Sequence, residues 1–100
     1  MLSNSADYKY KLAPSTKFKK DYKRAKKRGL PLKELREVVD TLAKGEKLDM
    51  RYKDHQLKGN MKDFRECHIR PDWLLVYRIY EEELILALTE TGSHADLFNM

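Results

Sequence analysis

The chain has 100 residues, 41% of them hydrophobic: enough for one small domain with a single core, and too apolar for a disordered chain. Its 21 Lys and Arg outnumber 16 Asp and Glu, for a formal charge of +5, which favours an anionic partner, nucleic acid or acidic protein, over a neutral metabolite. The lone cysteine, Cys67, excludes an intrachain disulfide, and no apolar run is long enough to span a membrane, so the cytoplasm is the expected location.

Residues 1–7 read as a polar, flexible lead to a single domain covering 1–100. Tyr8-Lys9-Tyr10-Lys11-Leu12 alternates apolar with basic, the period of a half-buried strand. Pro14-Ser15-Thr16 ends it and offers a hydroxyl N-cap. From Lys17 the period becomes helical. Phe18, Tyr22 and Ala25 form one stripe, and Lys19, Lys20, Lys23, Arg24, Lys26 and Lys27 cover the rest. Gly29 suits the position after a helix end and Pro31 the first position of the next, which predicts a helical hairpin. Leu32, Leu35, Val38, Val39 and Leu42 make the second helix amphipathic, and Gly45 closes it.

An ordered loop follows, with one short strand expected near Met50–Tyr52. Strands are predicted at about Met61–Ile69, Trp73–Tyr80 and Leu84–Thr89, joined by Arg70-Pro71-Asp72 and by Glu81-Glu82-Glu83. Connections this short imply an antiparallel meander. The expected class is α+β, with both helices on one sheet face and the other face open for a site.

Alternation along the first meander strand sends Arg65, Cys67 and Ile69 to the helices and Glu66, His68 and Arg70 to the open face. His55 lies in the loop entering the sheet, and His94 follows Thr91-Gly92-Ser93 just after the last strand. Convergence of the three at one end of the sheet is therefore permitted. Two of them also have a bland reading: His55 as an exposed ring in an Asx-turn, His94 as part of a helix N-cap. A zinc site of His55, Cys67, His68 and His94 is disfavoured, because Cys67 and His68 are adjacent on a strand and paired C-x-x-C spacings are absent. No metal or other cofactor is expected.

Histidines beside a cationic surface suit RNA cleavage. One imidazole removes the 2′-OH proton, another protonates the departing 5′-oxygen, and cations hold the phosphorane. Glu66 or Asp72 would orient a histidine, and Arg65, Arg70 or Arg78 would contact phosphate. The alternative is a non-catalytic RNA- or protein-binding module using the same basic face.

The stretches D-H-Q-L-K-G, F-R-E-C-H-I-R-P-D-W-L-L-V-Y and T-G-S-H-A-D-L-F resemble the YafQ-type branch of the RelE superfamily of type II toxin–antitoxin toxins. The resemblance implies a β-α-α-β-β-β microbial RNase fold with an antiparallel sheet and a helical hairpin on one face. It implies a metal-independent, ribosome-dependent mRNA endoribonuclease that a cognate antitoxin neutralises, with operator DNA reached only through the antitoxin complex. Position by position, it assigns cleavage to His55, His68, Asp72 and His94, and a substrate contact to Phe98. Glu66, Arg65 and Arg78 would support them, and the lysine-rich helix would meet RNA, ribosome or antitoxin. Glu90 stands where many relatives carry arginine, and Met61 where an aromatic residue is often found.

Overall fold

A computed structural model describes residues 2–98. The order is β1 (Lys11–Pro14), α1 (Thr16–Lys27), α2 (Leu32–Ala43), β2 (His55–Gln56), β3 (Arg65–Arg70), β4 (Trp73–Tyr80), β5 (Ile85–Gly92) and α3 (His94–Phe98). Met50–Tyr52 is a single 3-10 turn where a strand was expected, and a second such turn occupies Gly59–Met61. The third strand therefore starts at Arg65, later than its apolar pattern suggested.

The strands form one sheet in the order β1-β5-β4-β3-β2. The β3-β4-β5 meander is antiparallel as predicted, and β2 adds an antiparallel edge. The sheet is nonetheless mixed, because β1 pairs with β5 in parallel. The helical hairpin makes that pairing available, since it supplies the long crossover after β1 that a parallel arrangement needs.

Helix boundaries follow the capping chemistry. Ser15 Oγ accepts from the Phe18 N–H at 2.9 Å and donates to the Thr89 carbonyl at 2.7 Å, so one hydroxyl caps α1 and ties it to β5. At the other end the Leu30 N–H reaches the Ala25 carbonyl and the Gly29 N–H reaches that of Lys26, the paired bonds of a Schellman ending, with Gly29 at φ 74°. Pro31 lies one residue before α2 rather than inside it.

Phe18, Tyr22, Leu35, Val38, Val39 and Leu42 pack on Cys67, Trp73, Leu75, Tyr77, Leu86 and Leu88 to form the core between the helices and one sheet face. The opposite face is less bare than expected, because Leu74 and Val76 are also buried there. The N-terminal lead is tethered, with Leu2 against the core and Asn4 Oδ1 accepting from the Leu12 N–H at 2.7 Å. Among the described residues no helix is long and apolar enough to cross a membrane.

Candidate functional site

Sheet register explains why the histidines meet. His55 pairs directly across from Glu66, and His68 lies two residues further along the same face of β3. Leu74 of β4 pairs with His68 on one side and Gly92 on the other. The exit of β5 thus sits two strands from His68, about 10 Å away, and α3 turns His94 back towards it. The His55 and His68 ring centroids are 6.3 Å apart, those of His68 and His94 5.9 Å, and Phe98 closes the row at 6.4 Å from His94.

Each ring is held by its Nδ1. His55 Nδ1 lies 2.8 Å from the Lys53 carbonyl, which can only accept, so Nδ1 carries a proton and Nε2 faces Glu66. His68 Nδ1 approaches the Pro71 carbonyl more loosely, at 3.4 Å. His94 is bound twice to Asp72 Oδ1, through its backbone N–H at 2.8 Å and through Nδ1 at 2.6 Å. Those two bonds, the backbone one first, hold the Asp72 carboxyl below the usual range.

Glu66 is wedged beneath the row. Its Oε1 is 3.6 Å from His55 Nε2 and 3.8 Å from His68 Nε2, while its buried Oε2 has no hydrogen-bond partner among the described residues. His55, Glu66 and His68 offer three ligand atoms within 4.8 Å of one another, a set that could hold a cation. This donor set differs from the one considered from sequence. Cys67 lies in the helix-side core, where burial pushes its thiol pKa far up, so it is no ligand here.

Two of the three arginines are paired with carboxylates. Arg65 points away from the histidines, with Nη2 2.9 Å from Asp54, a carboxylate that also accepts from the Tyr77 hydroxyl. Arg65 and Tyr77 thereby fix the residue before His55, a positioning role that only the D-H adjacency hinted at. Arg70 does not share the open face with Glu66 and His68. The ladder shifts register between His68 and Arg70, and the guanidinium pairs with Glu34 of α2 at 2.7 Å. Arg78 stacks over Tyr80 at 4.4 Å and Phe64 at 5.7 Å. Glu90 pairs across β4 with the same Val76 that faces Glu66, and its carboxylate lies 3.8 Å from Lys17.

Two sets of contacts hold α3. Ser93 Oγ accepts from the Asp96 N–H at 3.1 Å and Asp96 Oδ2 accepts from the Ser93 N–H at 2.9 Å, a reciprocal capping box. The N-cap reading of T-G-S-H thus holds together with the placement of His94 in the row. Arg28 clamps Asp96 through both guanidinium nitrogens, and Arg24 lies 3.6 Å from it. A Cβ at Gly92 would meet Arg24 Nη2 and Asp96 Cβ at 2.8 Å each, so the glycine is required for close approach rather than for φ. Arg24 consequently leaves the exposed strip of α1, which retains Lys19, Lys20, Lys23, Lys26 and Lys27.

Residues 10–99 match a family described as the bacterial toxin of type II toxin–antitoxin systems, YafQ. The mRNA interferase toxin YafQ of Escherichia coli K12 is 36% identical over 85 residues, covering 84% of this chain and 90% of that protein. The crystal structure of the E. coli DinJ–YafQ toxin–antitoxin complex superposes with a TM-score of 0.82 at 34% identity, over 90% of this chain and 98% of that one. A metal-bound toxin from Helicobacter pylori superposes equally well, at 0.82, with 48% identity over 98% of this chain and 100% of that one.

Proposed function

Because the chain belongs to the YafQ family of bacterial toxins, it is the toxin of a type II toxin–antitoxin system and an mRNA interferase, and we propose that it cuts RNA by acid–base catalysis across the His55–His68–His94 row. The observation carrying this reading is the row itself: three imidazoles within about one ring spacing, two of them flanking buried Glu66 and the third fixed by Asp72.

In this mechanism the 2′-oxygen bonds to phosphorus as its proton passes to one imidazole. The bond to the 5′-oxygen breaks as a protonated imidazole on the opposite side supplies a proton. His94 takes one of these transfers, with Asp72 holding its tautomer. His55 and His68 share the other and stabilise the charge on the phosphorane, with Glu66 setting their orientation. Exposed Phe98, beside His94, offers a surface for a substrate base. The products are a 2′,3′-cyclic phosphate on the upstream fragment and a free 5′-hydroxyl. A 2′-deoxy substitution at the cleaved nucleotide is expected to abolish cleavage at that site, and cutting at an undiminished rate would refute 2′-OH attack.

The partners follow from the family. The reading has the chain cut mRNA on the ribosome in the cytoplasm, inhibited by a cognate antitoxin, with operator DNA met only through the antitoxin complex. Five exposed lysines on α1 suit ribosomal RNA phosphates or an acidic antitoxin surface equally, and the two partners need not bind together.

A second occupant of the Glu66 gap is a transition metal ion. Glu66 Oε1 and the two Nε2 atoms would hold a Zn²⁺ or Cu²⁺ ion, each imidazole being steadied by a backbone carbonyl at Nδ1. Such an ion would engage the ring nitrogens that proton transfer needs. Added Zn²⁺ is expected to suppress cleavage reversibly, with EDTA restoring it. Stimulation by Zn²⁺ would instead indicate that the metal is part of the catalyst.

A further inference from the structure

Beside the histidine row, between α2 and the end of β3, lies a cavity of about 340 Å³ that the cleavage mechanism leaves unused. His68 stands at its rim and buried Ile69 is part of its lining. One wall is a preassembled flat surface. The Arg51 guanidinium carbon lies 4.7 Å from the Tyr52 ring centroid, and Arg51 Nη2 donates to the Tyr52 hydroxyl at 2.7 Å. Facing it, α2 presents two carboxylates in different states. Glu34 is consumed by Arg70, at 2.7 and 3.0 Å. Glu37 has only a loose pairing with Lys33 at 3.9 Å, so its oxygens remain free to accept.

We propose that this cavity is a nucleobase subsite that takes a guanine flanking the scissile phosphate. The inference rests on the RNA-cleaving reading above and adds to it the source of base preference. Single-stranded RNA is read by splaying bases onto aromatic or guanidinium surfaces and bonding their edges. Arg51, backed by the core-packed Tyr52 ring, provides the surface here, and Glu37 the edge contact. A carboxylate is acceptor-only, so it matches a base edge bearing two parallel N–H donors, which guanine has and uracil lacks. Among the lining groups Glu34 and Glu37 oppose a phosphate and Arg70 is already paired with Glu34, while Arg51 and Lys53 are cations that the sugar-phosphate of the same nucleotide can meet. The rival occupant is a basic side chain of a protein partner. The position of His68 at the rim favours the base, because a nucleotide adjoining a phosphate held at the histidines reaches the cavity without leaving the protein surface.

The test is an amide-shift titration of the wild-type chain with GMP and, separately, UMP, which share the phosphate and differ in the base. GMP is expected to move Tyr52, Ile69 and Arg70 and to bind at least about five-fold more tightly than UMP, the low end of what base–aromatic stacking contributes. Cleavage-site mapping supplies the second arm. Tyr52→Ala is expected to raise KM about ten-fold, and Glu37→Gln to lower the ratio of guanine-flanked to uracil-flanked cuts. Equal shifts with GMP and UMP, unchanged cut sites in both variants, or a cavity that answers to arginine amide but not to GMP would each overturn the proposal. A wild-type chain that binds GMP there but cuts no RNA would retain the subsite and remove the catalytic reading.

Discussion

Replacing His94 with alanine is expected to lower the cleavage rate by about a hundred- to ten-thousand-fold, the usual cost of losing one general acid or base, while RNA affinity changes little. The split between rate and affinity follows from what His94 touches. Its side chain is committed through Nδ1 to Asp72, so Nε2 is the ring nitrogen available to a substrate proton, and the exposed lysines of α1 remain to hold the polyanion. Asp72→Asn refines the test. An amide oxygen can still accept the His94 backbone N–H, so α3 keeps its place, but the negative charge beside Nδ1 is gone. A smaller loss than that of His94→Ala is expected, read as kcat in an mRNA cleavage assay. A non-catalytic binding module gives the opposite pattern: no turnover in the wild-type chain, and a variant that differs from it only in affinity.

The largest expected effect on stability comes from a residue outside the site. Asp21 is 4% exposed on the inner side of the basic helix, and its Oδ2 accepts from the buried Thr91 N–H at 3.1 Å. Lys17 at 3.0 Å and Arg24 at 3.2 Å balance its charge from the half-exposed side. Thr91 itself is fully buried, with Oγ1 accepting from Trp73 Nε1 at 3.0 Å and donating to the Leu74 carbonyl at 2.6 Å. Asp21→Ala strands the Thr91 N–H in the core and leaves Lys17 and Arg24 with the longer contacts to Glu90 at 3.8 Å and Asp96 at 3.6 Å. Removing one partner of a buried charged group costs about 3–5 kcal/mol, and the exposure of both cations brings this down to about 2–3 kcal/mol. For a domain of this size the melting temperature should then fall by roughly 10–20 °C. Asp21→Asn keeps an acceptor for Thr91 and should lose less. Equal, small losses in both would show that Thr91 finds another partner. Since the same network seats the end of β5 from which α3 and His94 depart, the unstable variant is also expected to lose activity below its melting temperature.

The polar groups around β5 thus do two things. Asp21 and Thr91 bind the strand to α1 from within, and Arg28 and Arg24 bind Asp96 of α3 from without. The basic helix, whose lysines invite a partner, is therefore also the frame on which His94 is mounted.

Much of this was legible in the residues alone, and the legible part is local. Element types, the apolar stripe of Phe18, Tyr22 and Ala25, the Ser15 cap and the Gly29 and Gly45 endings depend on periods of two or 3.6 residues and on backbone preferences a few positions long. Strand alternation likewise separated Glu66 and His68 from Cys67 before any fold was known. The motif resemblance named the histidines but supplied no distances between them. Tertiary structure decided what depends on partners far apart in the chain: the pairing of His55 with Glu66, the parallel docking of β1 on β5, the turning of Arg70 to Glu34 at a register shift, and the burial of Asp21 within a run of lysines. Charge and period describe one residue and its neighbours. Which carboxylate meets which cation is set by sheet order and register, and those are properties of the whole folded chain.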